Sequence, residues 1–183
     1  MKKLVVEFSN ERLITPSGLS LVGQMLGKSN FIKKCNNMKI DGKRSQSQIK
    51  NGDILLSYIG LLCQGKTSYD AIREMSDDPE YFKLALGITR AIPSAETLRQ
   101  RMDDIGSSLR EEILNAKFDT NELVLELTVI AYNILRLIGQ ESLKSMRSPK
   151  TKHPVKRRRI RTVIGNLIQI AGHVTTHGRR IIL

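Results

Sequence analysis

The last 42 residues of this 183-residue chain contain no Asp or Glu; the final acid is Glu141. Aromatic residues are also scarce, at 4% with no Trp, so any core must be built from Leu, Ile, Val and Met. Past Tyr132 there is no Phe, Tyr or Trp, which argues against a surface that stacks single-stranded bases. The two cysteines, Cys35 and Cys63, form no CxxC motif. Cys63 stands in apolar surroundings and Cys35 near Phe31 and Ile32, and unpaired reduced thiols are the plain expectation. Long hydrophobic runs are missing too. Glu7 and Asn10 interrupt the apolar N-terminus too early for a signal peptide, and no other run approaches a membrane span. The expected location is cytoplasmic, with no membrane insertion.

What is present is positive charge, and it is unevenly placed. The chain has a formal net charge of +12. Residues 1–141 carry nineteen basic and eighteen acidic residues, whereas 142–183 carry eleven basic residues and no acid. Those eleven include Lys152, Lys156, Arg157, Arg158, Arg159, Arg161, Arg179 and Arg180. A near-neutral body with a strongly basic end implies a polyanionic partner. Nucleic acid is the first such partner and an acidic lipid surface the second. A solvated charged face, with the arginine stems covering a neighbouring element, is the plain structural alternative.

Hydrophobic spacing predicts an almost wholly helical chain, an irregular all-α bundle with one short strand at residues 3–8. A helix is expected after Thr15-Pro16-Ser17 and another over 31–36, followed by a polar loop at 39–48. A mostly buried helix should begin near Asn51 and Asp53 and end near Gly65. A short helix over 68–75 comes next. Asp78-Pro79-Glu80 should open another that stops at Gly87. Ser94 is a good N-cap for a longer helix with Leu98, Met102, Ile105, Leu109 and Ile113 on one face. Asp119 and Glu122 resemble a capping box for a helix through 142. That helix is apolar nearly all round, which predicts burial on several sides. After a linker containing Pro149 and Pro154, a last helix is expected over 155–177, with Ile160, Ile164, Leu167, Ala171 and Val174 as its apolar stripe. Two units follow from this reading, 1–116 and 117–183.

Several stretches resemble DDE transposases of the insertion-sequence group numbered thirteen-eighty. Gly18-Leu19-Ser20-Leu21-Val22-Gly23-Gln24-Met25-Leu26 and the run Asp53 to Lys66 resemble that family's N-terminal region. So do Phe82 to Ile88, Pro93-Ser94 and Thr97-Leu98-Arg99-Gln100-Arg101. The second half is similar to the family's C-terminus, through Asn121 to Leu127, Ala131 to Arg136, Ile138 to Glu141, Arg157 to Ile164, Asn166 and Arg179 to Leu183. The resemblance implies DNA binding in DNA transposition. It also implies an internal deletion near 116–118, where the family's RNase H-like catalytic sheet would stand, and a clipped end at Leu183. The family's three carboxylates, which hold two Mg²⁺ ions, fall in that missing segment. No catalytic residue is therefore carried over, no cofactor is expected, and cleavage is not.

Local substitutes for those acids do not converge. Asp103-Asp104 and Glu111-Glu112 are adjacent pairs on one helix, and neighbouring helical positions point apart. His173 and His177 have helical zinc spacing, but no Cys, Asp or Glu follows Glu141 to complete a site. The expected partner is duplex DNA, with transposon terminal inverted repeats the specific candidate. The contacts are expected from Lys152, Lys156, Arg157, Arg158, Arg159, Arg161, Arg179 and Arg180. A weaker helix-turn-helix-like candidate between Ser68 and Met102 would present Arg99 and Arg101. Association with the bacterial nucleoid would follow. The apolar helix from Asp119 further predicts self-association. Two other readings fit the same residues: a basic helical interaction or membrane-surface module, and a decayed gene product without function.

Overall fold

The computed structural model describes residues 12–37, 49–113, 119–144, 157–177 and 180–182, with backbone alone for 109–113, 119–120, 174–177 and 180–182. The chain is mainly helical. Strand β1 (Arg12–Ile14) leads into α1 (Leu19–Gly27), α2 (Phe31–Asn37) and α3 (Asn51–Cys63). A 3₁₀ turn (Tyr69–Ile72) precedes α4 (Arg73–Ser76), α5 (Pro79–Leu86) and α6 (Ala95–Ile113). The long α7 (Asp119–Lys144) is followed by the short α8 (Ile160–Val163), a π turn (Ile164–Ile168), β2 (Gly172–His177) and β3 (Arg180–Ile182).

Local chemistry explains most of the helix boundaries. The Asp78 carboxylate accepts from Tyr81 N at 3.3 Å with Pro79 beside it, and Gly87 ends α5 in the left-handed region at φ 75°. The Ser94 hydroxyl accepts from Thr97 N at 3.1 Å, the N-cap expected for α6. Gly65, at φ 76°, follows the end of α3. The start of α1 departs from expectation. Ser17 is buried and its side chain does not cap the helix; its N–H instead donates to Ile170 O at 3.0 Å.

Helix α3 is the centre of the body, buried along nearly its whole length. It packs against α1, α2, α5, α6 and α7. Helix α1 lies on α5 at very short range. A Cβ at Gly23 would sit 1.8 Å from Ala85 O, so no side chain fits there. Asp53 does not cap its own helix. Its buried carboxylate accepts from Thr89 N at 2.8 Å, Thr89 Oγ1 at 3.2 Å and Arg90 N at 3.1 Å, tying α3 to the loop before α6. The Tyr81 hydroxyl, also buried, is placed to donate to Pro16 O and Ser17 O at 2.9 and 3.0 Å.

The expected continuous helix over 155–177 is corrected. Its described part is helical only from Ile160 to Ile168, and the last five residues form a π turn closed by Gln169 N to Ile164 O at 2.8 Å. Gly172 and the β-branched Val174, Thr175 and Thr176 then favour extended backbone. Partners are supplied at long range: β2 pairs antiparallel with β1 (Leu13 opposite His173) and with β3 (Thr176 opposite Ile181) in the order β1-β2-β3. The strand expected at 3–8, the polar loop at 39–48 and the linker near 148–154 lie outside the described residues.

A second correction concerns α7. Leu123, Leu127, Ala131, Ile134, Leu135 and Ile138 are buried against the body, but Leu125, Val129, Tyr132 and Leu137 are exposed. One face is covered rather than several. The core joins both halves of the sequence, because Val163 and Ile168 belong to the same buried cluster as α1, α3, α5 and α6. No helix among the described residues is long and apolar enough to cross a membrane.

Two measurements test this arrangement. Asp53→Ala removes the acceptor for two backbone N–H groups and should cost about 3 kcal/mol in denaturant unfolding, since each stranded buried donor costs 1–3. Asp53→Asn keeps one acceptor and should cost less. The second test is alkaline pH. Burial pushes the Cys35 thiol up to about 11 and the Cys63 thiol up to about 12, from 9.0. It also raises Tyr81, Tyr58 and Tyr69 above the usual phenol value. Each group holds its proton more tightly when folded, so the stabilisation is complete below pH 9 and is lost as pH rises above it. The melting temperature should therefore fall from about pH 9 upward. At neutral pH both thiols should resist alkylation until the chain is unfolded.

Candidate nucleic-acid interface

Contacts on α1, α3 and α7 seat the described part of the basic end on the body. Gly18 N donates to Ile168 O at 3.1 Å, and a Cβ at Gly18 would lie 1.8 Å from Leu167 O, so α1 starts directly against the π turn. Gln169 Nε2 donates to Gln64 O at 3.1 Å, joining the same turn to the end of α3. At Gly139 of α7 a Cβ would meet Val163 Cγ2 at 2.8 Å and Arg158 Cβ at 3.6 Å. A small residue in an otherwise bulky helix is what lets α8 approach.

This seating orients the arginines. The backbone is not yet helical at Arg158 and Arg159, and Arg159 is extended at φ −68°, ψ 142°. Extended backbone turns successive side chains to opposite sides. Arg158 accordingly lies half-buried towards α7, while Arg157 and Arg159 are exposed. Arg161, in the first turn of α8, is exposed as well. Three guanidinium groups thus stand outward on one short segment whose other side is held by Val163 and Ile168, both 0% exposed. The nearest acid along α7, Glu141, is paired with Lys144 at 2.6 Å. The arrangement can bind an anion with planar, forked donors.

Two of the other basic residues expected at a DNA surface stand on a different element. Arg99 and Arg101 belong to α6, which packs on α7, α3 and the 3₁₀ turn, whereas α8 packs on α7. Arg99 is bound to Glu96 at 2.9 Å and lies over the Tyr69 ring at 5.8 Å. Arg101 is half-buried and its guanidinium donates to Asn51 Oδ1, so it joins α6 to the start of α3. Arg180 is placed by its backbone, opposite His177 in β3. Lys152, Lys156 and Arg179 lie outside the described residues.

The metal candidates weighed in the sequence can also be placed. His173 and His177 fall on strand β2, where four residues span about 13 Å rather than one helical turn. Asp103 is exposed and Asp104 half-buried on α6. The side chains of Glu111 and Glu112 are outside the description. Among the described residues no three His, Cys, Asp or Glu side chains converge as a metal site would require.

Sequence reasoning named the arginines but not the residues that position them. Gly139, Gly18 and Gln169 act through contacts between segments distant in the chain. The only local signal was a glycine inside a bulky apolar helix. No family model, curated protein or solved structure matches this chain.

The seat of α8 is tested by Gly139→Leu. The larger side chain collides with the stiff Val163 and should cost about 1–3 kcal/mol by overpacking. Trypsin should then cut faster at Arg157 to Arg161 than in the parent chain. Unchanged stability together with unchanged cleavage would show that α8 does not rest on Gly139.

Proposed function

We propose that this chain is a DNA-binding protein of the transposase type that contacts the duplex backbone and does not cut it. The observation that carries the DNA-binding part is the outward set of Arg157, Arg159 and Arg161, fixed on a core-anchored segment within an acid-free stretch. Guanidinium groups fork onto phosphate oxygens, and each phosphate neutralised releases condensed counterions. Duplex rather than single-stranded DNA is favoured because no aromatic residue follows Tyr132. The transposase origin is supported by the resemblance carried on Gly18 to Leu26, Asp53 to Lys66 and Asn121 to Leu127. The non-cleaving part rests on the same resemblance, in which the family's three carboxylates fall in the missing segment. Terminal inverted repeats of the element are the specific ligand this origin suggests, and the bacterial nucleoid is the corresponding location.

Fluorescence anisotropy with a labelled random duplex, and with a duplex carrying such a terminal repeat, tests the reading across a salt series. Arg157, Arg159 and Arg161, neutralising three phosphates, should contribute about −3 to the slope of log K against log salt. Each Arg→Ala change at 157, 159 or 161 should weaken binding to both duplexes and flatten the slope by about 1. Arg101→Ala should leave the slope unchanged, because Arg101 is engaged with Asn51. A flat salt response removes the DNA reading. Equal affinity for the two duplexes removes the sequence-specific version. Binding to acidic lipid vesicles without binding to either duplex transfers the site to a membrane surface.

A further inference from the structure

Helix α7 carries a second surface that the DNA reading does not use. Glu122, Leu125, Val129, Tyr132 and Arg136 are all exposed, and their spacing of three, four, three and four residues places them on one stripe of the helix. Leu125, Val129 and Tyr132 are 64%, 51% and 46% exposed, so the middle of the stripe is apolar surface in water. The helix cannot rotate to hide it. Its other side is fixed in the core by Leu123, Leu127, Ala131 and Leu135, each 4% exposed or less. The seat of α8, at Gly139, lies beyond the Arg136 end and leaves the middle of the stripe open.

The ends of this stripe carry opposite charges, and both lie seven residues from Val129. A surface that is acidic at one end, basic at the other and apolar between is complementary to itself under a two-fold axis. An antiparallel second copy centred on Val129 puts Glu122 opposite Arg136 at each end, about 10 Å along the helix from the axis. A parallel copy would oppose Glu to Glu and Arg to Arg. At the shallow crossing of about 20° used by paired helices, the ends stay within reach of an arginine side chain. We propose that this face of α7 is a homodimer interface, in which two copies pair antiparallel about Val129 with Glu122–Arg136 ion pairs closing both ends. The proposal is independent of DNA binding.

Sedimentation of the full chain over a wide concentration range should show a reversible monomer–dimer equilibrium. Val129→Glu places two carboxylates together at the axis and should raise the dissociation constant tenfold or more, about 1.4 kcal/mol by the tenfold rule. Glu122→Arg and Arg136→Glu should each weaken the dimer several-fold, by loss of attraction and addition of like-charge repulsion at both ends. The double variant should recover the parent affinity, a rescue that damage to the fold cannot produce. All these positions are exposed, so helicity by circular dichroism should match the parent. Val129→Cys should form an intermolecular disulfide on mild oxidation, while Cys35 and Cys63 stay buried and unreactive. A monomer at every concentration overturns the proposal. So does a dimer indifferent to Val129→Glu, or a double charge reversal that fails to rescue.

Discussion

The backbone contact between the start of α1 and the π turn near the C-terminus is the constraint on which the rest depends. Gly18 N and Ser17 N donate to Ile168 O and Ile170 O, and only a glycine at position 18 permits the approach. Through it the two ends of the chain become one structure. β1 can then pair with β2, Tyr81 reaches the carbonyls of Pro16 and Ser17, and Val163 and Ile168 enter the common core. Without it the segment that carries Arg157, Arg159 and Arg161 would be held only by α7 and the end of α3. Fixing them before binding removes much of the ordering cost that a flexible tail must meet on contact.

Charge in the body is arranged differently from charge at the end. Several described acids of the first half are engaged: buried Asp53 with backbone N–H groups, and, in ion pairs, Asp78 with Arg12 at 2.7 Å, Glu96 with Arg99, and Glu74 with Lys66. Exposed pairs of this kind contribute little to stability. Their effect on the long-range field is larger, because each pair cancels its own charge. Residues 1–141 carry nineteen basic and eighteen acidic residues, whereas the acid-free segment carries eleven basic residues and no acid. Net charge thus understates the contrast between a self-neutralised body and a basic edge.

Much of the helical framework was legible in the sequence because its signals are local. Asp78-Pro79, Gly87, Ser94 and Gly65 mark element ends through hydrogen bonds and dihedral angles confined to a few residues. The departures come from tertiary pairing. Nothing in 169–177 forbids a helix outright, and the apolar spacing of Ile164, Leu167, Ala171 and Val174 suggests one. The backbone takes the extended form because β1 supplies a partner more than 150 positions away. Helix α7 was misjudged for a related reason. An all-round apolar composition counts hydrophobic residues, not the neighbours available to cover them. The basic cluster was visible as composition, whereas its orientation depends on Gly139 and on extended backbone at Arg159, which composition does not encode.

The two surfaces argued for α7 and α8 are linked by geometry along one helix. Gly139 lies ten residues from Val129, or about 15 Å at 1.5 Å per residue. An antiparallel partner places its own Gly139 the same distance on the other side of the axis. The two α8 seats, each with its arginines, then stand about 30 Å apart along the helix pair, close to the roughly 34 Å between successive major grooves on one side of a duplex. A dimer held by the apolar stripe would therefore present its two basic edges at nearly the spacing of half-sites one helical turn apart. The exposed face of α7 and the arginine segment rest on separate observations, yet one helix length relates them. That length follows from where Gly139 interrupts the apolar sequence.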